Sequence, residues 1–332
     1  MSNINTAQLS TPSKIQSGFY KKSMKCFFFQ SKLFEAQMTE LYDDLWLTVT
    51  AVKNLRWQVN GYYHEMNVKQ NNKLASHFVD NDDKTNRPNL YRACIEQSWE
   101  QQEYCISRNL LTNIFALFEG WIEMLLPLVS NNPPSAKQFQ FPGSIHPAIA
   151  AIQQLSNSVL VTAFYNIYIT NNYTSKINHI EHYLKVYRYF KECRNCIIHQ
   201  GGRTNQNLVN AYSSIQALTT SDLDVTEMPD MEPVFAVNEL VKLRLRGVIG
   251  LSQIVIKIVE VLDMEFIKAD KALDCFISQI KEFTPRPENL RFLTDAKKRE
   301  KIVSIMKRSG FPSPNYNTAF YQLLERNRII TT

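Results

Sequence analysis

Apolar residues in this chain recur in long runs at three- and four-residue steps and rarely alternate with polar ones, a pattern that predicts helices rather than strands. Residues 28–60 carry apolar and aromatic positions at helical spacing, and the polar stretch DNDDKTNRPN at 80–89 interrupts them and marks a candidate boundary. A long helix is expected from about Tyr91 toward Leu126, ended by Pro127 and the SNNPPS loop. Apolar helical stretches follow at 147–170 and 178–200. An acidic loop, SDLDVTEMPDMEP, then precedes a last core helix near 237–263. The expected class is all-α. The expected parts are a disordered lead (1–20), an N-terminal helical region (21–85), a helical core (86–265) and a basic helical extension (266–332).

Composition narrows the picture. With 44% hydrophobic and 20% charged residues, the 332-residue chain reads as a globular protein. Nine glycines and the lack of any phosphate-cradling glycine loop after a strand exclude an ATPase reading. The polar start has no apolar core of a secretory signal, so a cytoplasmic location is expected. Leu110–Val129 is the most apolar window, but Thr112, Asn113, Glu119, Glu123 and Pro127 would be costly in lipid. A buried core helix and no membrane are expected there.

The six cysteines read as reduced thiols in a chain too long to need staples. Cys193 and Cys196 form a C-x-x-C, the spacing of a redox pair or half a zinc site, but no second pair completes a cage. His179 and His182 flank Glu181 without a third ligand, and His64, His77 and His146 stand alone. No metal and no cofactor are expected.

Charge is concentrated at one end. Residues 281–332 hold eleven Lys/Arg against five Asp/Glu, a surplus of six that equals the net charge of the whole chain. Lys297, Lys298, Arg299 and Lys301, with Phe311, Tyr316, Phe320 and Tyr321 interleaved, are a candidate RNA-binding group. The plainer reading is a solvated helix face.

The segment IEHYLKVYRYFKECRNCIIHQGGRTN (180–205) carries the candidate chemistry. Ile180, Tyr183, Tyr187, Phe190, Arg194, Ile197 and Ile198 recur at three- and four-residue steps, so Arg194 extends the stripe that faces the core. A guanidinium there needs a carboxylate or a ligand anion, and Glu119 in FALFEGW is the expected internal partner. Asn195 and His199, four apart, share a neighbouring face. Gly201 and Gly202 supply a left-handed helix stop, which puts His199 in the last turn, where the carbonyl end of the helix dipole favours a protonated imidazole.

Arg-Asn-x-x-x-His followed by Gly-Gly, near the end of a helix in an all-α chain, resembles the R-x4-6-H signature of HEPN domains. The resemblance covers about residues 90–265 and implies a HEPN-like helical bundle. It implies a metal-independent endoribonuclease whose motif helices meet across a homodimer, with Arg194 and His199 catalytic, Asn195 matching the polar residue after the arginine, and Glu119 supporting. It further implies RNA as substrate, a growth-arresting toxin or phage-defence setting, and an antitoxin or regulatory partner. Two readings stay beside it: a non-catalytic HEPN-like module that binds nucleotide or RNA and dimerises, and a helical interaction protein that docks through its basic end.

Overall fold

The computed structural model describes residues 26–66, 74, 77–78, 89–153, 158–170 and 176–331. The expected lead at 1–20 and most of the 80–89 boundary lie outside them. Helix accounts for 71% of the described residues, which also hold two strands of two residues each, so the class is all-α.

Three long helices form the frame: α1 (Phe29–Met66), α2 (Trp99–Val129) and α6 (Leu245–Glu265). Ser31, Phe34, Met38, Tyr42, Leu45 and Val49 of α1 are buried at three- and four-residue steps, which makes its first half the stripe that packs on α2 and α6. The backbone N–H groups of Phe27 and Phe28, ahead of the first turn, donate to the buried Asp263 carboxylate at 2.5 and 3.1 Å. A carboxylate there satisfies donors that the helix itself cannot.

α2 starts at Trp99 rather than Tyr91. Arg92–Glu96 forms a separate π-helical turn, and Ser98 and Gln101 close a capping box that begins the helix proper. Its end also differs from expectation: Pro127 lies inside the last turn, where its missing N–H removes a single ladder bond, and the helix runs on to Val129. α2 is long and apolar enough to cross a membrane by length and composition. Phe115, Phe118, Trp121, Ile122 and Leu125 are nevertheless fully buried within the core.

After α3 (Ile145–Ile152) and an irregular helical stretch over 158–170, α4 (Ile180–His199) and α5 (Gln206–Ile215) pair closely, and α4 also lies on α6 and α2. The acidic loop packs on α6 where that helix is thinnest. A Cβ on Gly247 would sit 2.0 Å from the Asp230 carbonyl oxygen, and one on Gly250 would sit 2.8 Å from Pro229. Residues 238–241 are instead held out of the helix by backbone bonds to 202–204 (Asn238 N–H to the Thr204 carbonyl, Thr204 N–H to the Glu239 carbonyl and Val241 N–H to the Gly202 carbonyl, each 2.8 Å), so α6 begins at Leu245 and not near 237.

The C-terminal segment comprises α7 (Ala272–Phe283), β1 (Glu288–Asn289), α8 (Asp295–Arg308), α9 (Thr318–Arg326) and β2 (Ile330–Thr331), with β1 and β2 parallel. It shares the main core. Phe27 meets Phe164, Phe276 and Phe311 at centroid distances of 5.1, 5.9 and 4.9 Å, and Phe164 meets Phe320 at 5.6 Å. Each buried phenylalanine contributes about 1.5–3 kcal/mol relative to exposure, which locks the basic extension to the start of α1. Phe311 and Phe320 are therefore core residues, not part of a stacking surface.

Candidate functional site

α4 positions the motif. Tyr183, Tyr187 and Phe190 turn inward, and Tyr187 packs edge-on against Phe115 and tilted against Phe118 of α2. At the other end Gln200 N–H and Gly202 N–H both donate to the Cys196 carbonyl, at 3.1 and 3.0 Å. Gly201 and Gly202 take φ values of 61° and 78°, so the glycine pair stops the helix as its sequence implies. His199 sits in the last turn and is exposed to solvent.

The partner expected for Arg194 is taken by another residue. Lys191 donates to Glu119 at 3.0 Å and also to the buried Gln140, so the carboxylate of α2 meets the lysine one turn earlier on α4. Arg194 makes no hydrogen bond or ion pair among the described residues, and its Nε is buried. Burial first, and then the Glu119 carboxylate, push the Tyr187 hydroxyl well up, with Arg194 and Arg188 opposing. Tyr187 thus feels the charges of both groups expected to pair.

Asn195 and His199 share a face with Arg188 and Glu192, four residues set at steps of four, three and four. Glu192 is 2% exposed and is not among the residues expected at the site. Its carboxylate pairs with Arg188, whose guanidinium lies over the Phe141 ring at 4.4 Å, and it accepts from Asn195 Nδ2 at 3.4 Å. The amide nitrogen is thereby engaged, which leaves Asn195 Oδ1 free to accept from His199 or from a ligand. The signal that marks Glu192 in the amino-acid sequence is the helical spacing of Arg188, Glu192, Asn195 and His199.

A cavity of about 1350 Å3 opens on the other flank of α4. Ile197, Gly201 and Gly202 line it, with Glu103, Tyr104 and Arg108 of α2 opposite, and none of Arg194, Asn195 and His199 does. Ile197 is two residues from Asn195 and from His199, about 200° round the helix at 3.6 residues per turn. The Asn195–His199 face and this hollow are therefore separate.

The other candidate groups have structural employment. His179 Nδ1 contacts the Asp222 carbonyl at 2.7 Å, His182 faces the Asp222 carboxylate at 3.9 Å, and Glu181 accepts from Gly143 N–H at 3.0 Å. No cluster of three potential metal ligands occurs among the described residues. Cys193 and Cys196 are free and buried, and burial pushes both thiols up, away from the thiolate that redox or metal chemistry needs. In α8 the basic quartet divides. Lys298 faces Asp295 at 3.7 Å and Lys301 faces Glu288 at 3.1 Å, whereas Lys297 and Arg299 stand in solvent.

Compared with known proteins, the chain matches no family model, no curated protein and no solved structure.

Proposed function

We propose that the chain is a HEPN-type endoribonuclease that cuts RNA without a metal, through attack of the substrate's own 2′-hydroxyl on the neighbouring phosphorus. The observation that carries this reading is Arg194: a part-buried guanidinium with no protein partner among the described residues, on a helix whose last turn exposes His199. A part-buried cation that cannot shed its proton and has no carboxylate is open to an anion from outside, and a phosphodiester matches the guanidinium fork. RNA brings the nucleophile, so the protein need only move protons and stabilise charge. In this scheme His199 transfers the proton, Arg194 holds the phosphate oxygens, and Asn195, fixed through Glu192, orients the imidazole or the phosphate. Glu119 acts one step removed, by holding Lys191 beside Tyr187.

The open motif face suits pairing with the same face of a second copy, as the family resemblance implies, and the reading includes such a composite dimer. A cytoplasmic toxin or phage-defence effector with an antitoxin or regulatory partner is the setting that goes with it. The test is cleavage of RNA by the full chain and by His199→Ala and Arg194→Ala variants, with thermal melting as a folding control. Losing an acid–base group should slow cleavage about 10²–10⁴-fold. Undiminished cleavage by folded His199→Ala protein overturns the reading.

One observation favours the non-catalytic alternative: the cavity lies on the flank away from His199. A module that binds nucleotide there would retain its ligand when His199 is replaced and lose it when Arg108 or Tyr104 is replaced.

A further inference from the structure

Phe292 is 92% exposed, the most exposed large apolar side chain among the described residues. It does not dangle from a loose loop. Arg291 and Phe292 form the tip of a tight turn closed by Leu293 N–H donating to the Leu290 carbonyl at 3.1 Å. Leu290 is fully buried, its N–H donates to Thr331 of β2 at 2.8 Å, and Asn289 Oδ1 accepts from Arg291 N–H at 3.0 Å. A phenyl ring is thus held out in water by an anchored backbone, with its face open to stacking.

Its surroundings say what kind of partner fits. Lys297, Lys301 and Arg308 follow one stripe of α8 at steps of four and seven. Glu288 of β1, four residues before Phe292, touches that stripe at Lys301 (3.1 Å) and Arg308 (2.8 Å). The Arg308 hydrogen bond, ahead of Lys301, holds the Glu288 carboxyl below the usual carboxylate range. Arg291, Lys297, Arg299 and Lys307 make no ion pair among the described residues. The ring stands on the turn that leads from Glu288 directly into this cationic helix, in the segment that carries the chain's whole charge surplus.

We infer that the Arg291–Phe292 turn and the Lys297–Lys301–Arg308 stripe form a binding site for single-stranded RNA, with Phe292 stacking on an unpaired base and the cations following the backbone. Stacking is open to a splayed base and closed to one inside a duplex, so the site selects unpaired RNA. Glu288 limits the affinity by offsetting one unit of positive charge, shared between Lys301 and Arg308. This inference rests on the ribonuclease reading only for the identity of the sugar, and it adds a docking site distant in sequence from the motif.

The test is fluorescence anisotropy of the full chain with a labelled 2′-O-methyl oligouridine of about ten nucleotides, a probe that 2′-hydroxyl attack cannot cut. The same strand in a duplex and anionic phosphatidylserine vesicles serve as comparisons. Phe292→Ala should weaken single-strand binding at least about fivefold, Phe292→Trp should restore it, and Phe292→Leu should not. Glu288→Gln should tighten binding and steepen its salt dependence. Four results would overturn the inference: no binding by the unaltered chain, equal binding by Phe292→Ala, equal capture of the duplex, or vesicle binding that Phe292→Leu preserves. If Phe292-dependent binding is seen while natural RNA stays intact, the docking site stands and the nuclease reading alone fails.

Discussion

Replacing Asp263 by asparagine should change how stability depends on pH, by an amount the structure sets. Asp263 is fully buried, and burial raises its carboxyl from 3.8 to about 6 despite hydrogen bonds from Ser31, Phe27 and Phe28 and the nearby Lys32 charge. Between those two values the folded protein keeps a proton that the unfolded chain has released, so this group's contribution to stability falls as pH rises. At 1.36 kcal/mol per pH unit, the full loss across this window is about 3 kcal/mol, complete about one unit above the upper value. Asparagine carries no charge at any of these values and removes the dependence, whatever fixed cost it adds by facing an amide toward backbone donors. Urea unfolding followed by tryptophan fluorescence suits the measurement, because Trp121 bonds to Ser31 beside the carboxylate. The unfolding free energy of Asp263→Asn minus that of the unaltered chain should rise by about 2–3 kcal/mol from pH 4 to pH 7. A difference that stays flat, or falls, would refute a carboxyl on α6 whose proton affinity is raised by burial against the start of α1.

Two further outcomes follow from local geometry. Gly202→Ala puts a side chain at a φ of 78°, which costs about 1–2 kcal/mol; a urea midpoint unchanged by that substitution would contradict the described helix stop. Among the six cysteines Cys105 alone is exposed, Cys275 is half-buried and the other four are buried, so a thiol-reactive dye on the native protein should label one site fast and Cys105→Ser should abolish that phase.

The motif helix is legible in the sequence because its determinants are local. Apolar spacing sets the inward face through Tyr183, Tyr187 and Phe190, and two glycines with positive φ mark the end. What the sequence hides depends on how helices sit against one another. The pairing of Glu119 turns on the rotation of α2 against α4, and a difference of less than a turn hands the carboxylate to Lys191 instead of Arg194. Glu192 is hidden because a charged residue beside a cysteine looks like surface until Arg188 and Asn195 are seen to close over it. The α2 start is readable in Ser98-x-x-Gln101 but masked by the helical look of Arg92–Glu96. Phe311 and Phe320 read as accessible aromatics among lysines, and only the contacts with Phe164, Phe276 and Phe27 identify them as core.

The proposed cutting of RNA by Arg194 and His199 through 2′-hydroxyl attack is tested most directly by mass spectrometry of the fragments made from one defined RNA by the full chain in EDTA, beside the same reaction with His199→Ala. The expected fragments carry 2′,3′-cyclic phosphate and 5′-hydroxyl ends that vanish with the histidine. Fragments ending in 5′-phosphate, or equal cutting of an all-deoxy strand, would contradict it.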